Sequence, residues 1–104
     1  PQDKAPFTGL TEASANHYGE LVAMDRAVGT LRSKLREFQL SDHTLLVFCR
    51  DNGGLPGISP DTVGGLRGNK GSVYEGGLRV PYAVAWPGRI VDALSRGAPC
   101  ENVV

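Results

Sequence analysis

Apolar positions in the first half of the chain follow two different periods. Between residues 12 and 39, Met24, Val28, Leu31, Leu35 and Phe38 recur in steps of four and three, and Leu21 extends the series. That spacing puts them on one stripe and predicts an amphipathic helix over about 12–39. Thr11 or Ser14 offers a side-chain oxygen for its N-terminal cap. Arg32, Lys34, Arg36 and Glu37 occupy the other side and read as a solvated face. Gly19 and Gly29 each cost about 1 kcal/mol relative to Ala inside a helix, so close packing against another element is expected at both.

The second pattern is "TLLVFC", residues 44–49, which does not alternate. A strand apolar on both sides is one buried on both faces, which predicts a parallel strand over about 44–50 between helical layers. A helix followed by such a strand is the αβ half of an α/β unit. Residues 51–72 carry many glycines, two prolines and no period. A loop of that length in a compact domain is usually functional or disordered. "LRVPYAVAW" predicts a second strand over about 78–86, with Pro81 near its start or at a sheet edge. "PQDKAPFTGL", residues 1–10, reads as a connecting loop. "PGR" turns the chain after the second strand, and the last fifteen residues read as a surface strand and then a loop.

Composition narrows the function classes. Eleven basic residues balance eleven acidic ones over 104 residues. Zero net charge argues against a general nucleic-acid binder, but not against one focused anion site. No apolar run approaches the roughly 20 residues that span a membrane. Cys49 and Cys100 form neither a disulfide framework nor a metal-spaced pair, and Cys49 reads as a buried small hydrophobe. The chain starts on Pro1 and stops on "CENVV", so it reads as one piece of a longer protein, at most a single domain.

Candidate chemistry collects where the apolar run stops, at Asp51 and Asn52, followed by Gly53 and Gly54. In open α/β sheets ligands bind at the carboxyl ends of strands. A carboxylate beside a carboxamide offers oxygen ligands suited to a hard cation, Ca²⁺ or Mg²⁺ rather than a soft metal. On composition alone, an Asn-Gly turn is the commoner meaning of these residues. The second cluster is "GGLRGNKGS", 64–72, where Lys70 stands among small neighbours with Arg67 three residues earlier. An oxyanion can approach closely there, although a lysine in a loop is more often simply solvated. The pattern is not a phosphate loop of the G-K-S/T type. Glu75, in "VYEGGLRVP", reads as a buried carboxylate tying the loop down. His17 and His43 have no ligand partners at useful spacing.

Taken in order, "AMDRAVGTL", "TLLVFCRDNGG", "GLRGNKGSVYEGGLRVP" and "AWPGRI" resemble the sulfatase family of the alkaline-phosphatase-like α/β superfamily, over residues 14–91. The resemblance implies a C-terminal part of a catalytic domain spanning 1–104, with a mostly parallel central sheet flanked by helices. It implies that Asp51 and Asn52 coordinate a divalent cation, usually Ca²⁺, and that Lys70 binds the sulfate ester. A cation polarises sulfate oxygens, and a fixed ammonium stabilises the charge that develops as the ester bond breaks. The substrate implied is a sulfate monoester, with a carbohydrate sulfate as the expected class, and the loop 53–69 lines its entrance. Family members are often secreted, periplasmic or lysosomal, which leaves the compartment of this chain open.

Two departures stand out. Arg50 occupies the position before Asp51 where the family usually carries a small hydroxyl residue. The formylglycine motif C/S-x-P/A-x-R, source of the family's nucleophile, is absent, since neither "CRDNG" nor "CENVV" fits it. The family's remaining aspartate ligands and its sulfate-binding histidines lie upstream of this stretch. The chain alone is therefore expected to be inactive without the remainder of the catalytic domain. Two other readings stand beside this one. A phosphoryl-transfer enzyme of the same superfamily would need more His and Asp ligands, and no His follows Asn52. A truncated module without catalysis is suggested by Arg50 and the missing nucleophile.

Overall fold

The computed structural model describes residues 2–90. Cys100 and the expected terminal strand lie outside them. A 3₁₀ turn at Gln2–Lys4 precedes helix α1, Glu12–Glu37. Thr11 caps α1, its hydroxyl accepting from the Ser14 backbone N–H. The helix ends at Phe38. Gln39 adopts a positive φ of 58°, and the Leu40 N–H reaches back to the Leu35 carbonyl at 2.8 Å. That 6→1 bond closes the helix although the left-handed position holds Gln rather than Gly. The N-terminal residues are more than a connecting loop. They pack on α1 where Gly19 is buried, and a Cβ there would meet the Lys4 side chain at 3.2 Å. Asp3 pairs with Arg26 and Phe7 stacks on Tyr18. Gly29, by contrast, has no neighbour within 4 Å of where a Cβ would stand among the described residues, contrary to the close packing expected there.

A second 3₁₀ turn, Ser41–His43, leads into strand β1, Leu46–Cys49. A single helical turn, α2, comes next at Glu75–Leu78, then strand β2, Tyr82–Ala85. Leu78 to Pro81 are therefore not part of the second strand, and Glu75 is exposed rather than a buried tether. The two strands pair antiparallel, Leu46 opposite Ala85 and Cys49 opposite Tyr82. The expected parallel arrangement is not present among the described residues. A parallel crossover needs a dozen or more residues, usually helical, to carry the chain back to the strand's start. The connection 50–81 holds one helical turn and folds back beside the exit of β1.

Partners across an antiparallel pair point to the same side. Leu46, Phe48, Ala83 and Ala85 thus form one face, and Val47, Cys49, Tyr82 and Val84 the other. The first face looks toward Met24 and Val28 of α1 across a groove of about 380 Å³. The second is open, so Cys49 is exposed rather than buried, and no large apolar side chain is fully buried among the described residues. Beyond β2, Trp86 donates its ring N–H to the Asp42 carbonyl at 3.0 Å and ties the strand's end to the second 3₁₀ turn.

Candidate active site at the exit of strand β1

The chain leaves β1 through Arg50, whose N–H donates to the Pro81 carbonyl at 3.3 Å, and reaches Asp51 and Asn52. Beyond Asn52, main chain packs directly on main chain. Gly53 and Gly54 are buried, and so are Gly76 and Gly77 of α2. The Gly53 N–H donates to the Gly77 carbonyl at 2.9 Å, and a Cβ on Gly53 would land on the Gly76 carbonyl oxygen. A Cβ on Gly76 would in turn strike the Gly68 carbonyl, and one on Gly77 the Ser72 carbonyl. Glycine is required here for close approach, since main-chain segments at this spacing leave no room for a side chain.

This knot brings the two clusters together. The Lys70 N–H donates to the Gly54 carbonyl at 2.8 Å, which sets the lysine's backbone beside the segment that carries Asp51 and Asn52. Lys70 comes directly after Asn69 in a turn closed by the Ser72 N–H on the Asn69 carbonyl at 2.9 Å, with Gly71 at φ 90°. Asp51 and Lys70 are exposed and Asn52 is half-buried. The Asn52 amide donates to the Asp51 carboxylate at 2.5 Å, so the two side chains converge. Neither Lys70 nor Arg50 forms an ion pair with Asp51.

The rest of the loop is held from two directions. Ser14, fully buried on α1, accepts from the Ser59 N–H at 3.0 Å, and one helical turn on the Tyr18 hydroxyl donates to the Pro60 carbonyl at 2.7 Å. Asp61 accepts from the N–H groups of Val63 (3.0 Å) and Gly65 (2.8 Å). Those bonds, Gly65 first, hold its carboxyl below the ordinary carboxylate range. Arg67 stacks on the Tyr74 ring, its guanidinium carbon 3.7 Å from the centroid, and donates to the Tyr74 hydroxyl at 2.8 Å. Sequence reasoning did not single out Ser14 and Tyr18 as loop anchors, nor Tyr74 as the partner of Arg67. Their spacing in sequence, 42 and 45 residues for the anchors, carries no local signal.

The family model for sulfatases matches residues 2–98, nearly the whole chain. The chain belongs to the sulfatase family. Arylsulfatase A of Homo sapiens is 37% identical over 101 residues, covering 86% of this chain and 19% of that protein. The N-acetylgalactosamine-6-sulfatase of Canis lupus familiaris is 37% identical over 90 residues, covering 82% of this chain and 17% of that protein. Among solved structures, that of Ps i-CgsB in complex with k-i-k-neocarrahexaose superposes with a TM-score of 0.75 at 37% identity, over 83% of this chain and 19% of that one. The chain thus spans less than a fifth of the length of these sulfatase relatives.

Sulfatases are in general metal-dependent, and the donor set can be tested against that requirement. The Asp51 carboxylate and the Asn52 amide oxygen are hard donors of the kind Ca²⁺ or Mg²⁺ takes, while the amide nitrogen of Asn52 is the atom that meets Asp51. Among the described residues, no group of three or more His, Cys, Asp or Glu side chains is arranged to hold a metal ion. The pair therefore fits as part of a coordination shell, with further ligands required from elsewhere.

Proposed function

We propose that this chain carries the cation-binding and sulfate-binding half of a sulfatase active site, acting on a sulfate monoester. Asp51 and Asn52 hold a divalent cation, Ca²⁺ or alternatively Mg²⁺, and Lys70 holds the sulfate group. The observation that carries the reading is the Lys70 N–H to Gly54 carbonyl bond, which joins the two clusters through the glycine knot. When bound, the cation polarises sulfate oxygens. Lys70 contributes a compact ammonium that balances charge on the ester group as the bond to the leaving oxygen lengthens. Gly71, directly after Lys70, has no neighbour within 4 Å of where a Cβ would stand, which leaves an anion room beside the lysine among the described residues.

The nucleophile motif is absent from the sequence, and the reading assigns it, with the remaining ligands, to the rest of the catalytic domain. That same remainder is what we read as covering the open sheet face of Val47, Tyr82 and Val84, within an alkaline-phosphatase-like sandwich. The substrate class is a carbohydrate sulfate. One relative is named for a sulfated N-acetylgalactosamine and a structural neighbour holds a neocarrahexaose, which supports that class.

The test is turnover of an aryl or sugar sulfate by the full-length protein. Lys70→Ala should lower kcat by about 100-fold or more, the usual effect of removing one donor to a developing oxyanion. An unchanged rate would remove Lys70 from the reaction.

A further inference from the structure

We propose that Arg67 and Tyr74 form a clamp that positions Lys70, a role that rests on Lys70 being the sulfate-binding group. Lysine is a flexible stem ending in a point charge, so what the fold can fix is the course of its backbone. Within the segment 67–74 itself, the main chain makes one hydrogen bond, from the Ser72 N–H to the Asn69 carbonyl at 2.9 Å. Gly68 and Gly71 both sit at positive φ, 81° and 90°, which glycine adopts at no steric cost, so contacts outside these two residues must select that course. Among the described residues one side-chain hydrogen bond spans this loop, that from Arg67 to the Tyr74 hydroxyl.

The clamp uses the guanidinium twice. Its face lies over the Tyr74 ring at 3.7 Å, and its Nη2 donates to the Tyr74 hydroxyl at 2.8 Å. The main chain of Arg67 is fixed as well, its carbonyl accepting from the Gly76 N–H at 2.8 Å. The two ends of the excursion are therefore pinned together and to the glycine knot. Lys70 lies between them, held by its own N–H on Gly54. A cation stacked on an aromatic ring and hydrogen-bonded at its edge needs a planar, forked head group, which Lys lacks. Arg67 thus acts through Lys70 rather than on the substrate.

The experiment is steady-state kinetics with an aryl sulfate on the full-length protein, with melting temperatures measured alongside. Arg67→Lys and Tyr74→Ala should lower kcat by about 10- to 100-fold, the scale of a misplacement of about 1 Å. KM should change far less, because an interaction strongest in the transition state is what is lost. Tyr74→Phe keeps the ring face but loses the hydrogen bond, and should lower kcat by less than Tyr74→Ala does. In a Lys70→Ala background, Arg67→Lys should have no further effect, since the group it positions is gone. Melting temperatures should stay close to the parent's, and exchange of the Lys70 amide should be faster in Tyr74→Ala.

An Arg67→Lys variant with parental kcat, in a protein where Lys70→Ala is slow, overturns the clamp and leaves the lysine in place. Equal losses from Arg67→Lys with and without Lys70 also overturn it, because Arg67 then acts independently. A melting temperature that falls in step with activity across all three clamp variants does the same. A Lys70→Ala variant with parental activity instead removes the role of the lysine itself.

Discussion

At the scale of single residues, the candidate site depends on the absence of side chains as much as on their presence. Gly53 is the sharpest case, because a methyl group there would land on the Gly76 carbonyl oxygen. Backbone cannot rotate away as a side chain does, so Gly53→Ala should destabilise the full-length protein by at least about 1–3 kcal/mol, read by thermal or denaturant unfolding. A stability equal to the parent's would mean that the knot is not the packing described. Asp61 permits a second test at this scale. Its lowered pKa means that the folded state binds its proton less readily than the unfolded chain. The contribution of its two loop bonds is present above the ordinary value of 3.8 and is lost as pH falls through the depressed folded value. Amide shifts of Val63 and Gly65 should therefore titrate with a midpoint below 3.8 and stop titrating in Asp61→Asn. A midpoint at or above that value would show that the carboxylate does not hold the turn.

Helix α1 is the element most legible in sequence, because its stripe repeats over many turns and its cap is a local motif. Its job at the site was not legible. Ser14 and Tyr18, four apart and so on one face, hold Ser59 and Pro60 of the loop, and nothing in the spacing of a serine and a tyrosine announces a partner more than 40 residues away. Each bond contributes about 0.5–1.5 kcal/mol. Ser14→Ala and Tyr18→Phe should each loosen residues 55–66, seen as faster amide exchange there, while Asp51, Asn52 and Lys70 keep their backbone positions. Unchanged exchange in both variants would argue that α1 does not anchor the loop. The strands show the opposite balance. The apolar run of β1 was readable, but its antiparallel pairing was not, since the return path is set by glycine contacts inside an aperiodic loop. For the same reason α2 was hidden, its two glycines being poor helix formers that the knot selects for size.

For the whole molecule, an apolar pattern on both sides of β1 implied cover on both faces, and the described residues supply α1 on one side across a groove. The inference from pattern to residue type was sound, while the inference to burial required neighbours that these residues do not include. The proposal that sets Asp51, Asn52 and Lys70 apart from ordinary turn and loop residues rests on the joint motif order, because each type is common in turns for local reasons. The fold adds a glycine knot that returns residue 70 to residue 54.

The central claim is that the Asp51–Asn52 pair and Lys70 serve one sulfate group. Its most direct measurement is a crystal structure of the full-length protein grown with Ca²⁺ and a sulfated sugar. The account predicts the Lys70 ammonium within hydrogen-bond distance of a sulfate oxygen, and oxygens of Asp51 and Asn52 on a cation that touches the same group. A sulfate bound elsewhere, with Lys70 directed into solvent away from the Asp51 carboxylate, would contradict it.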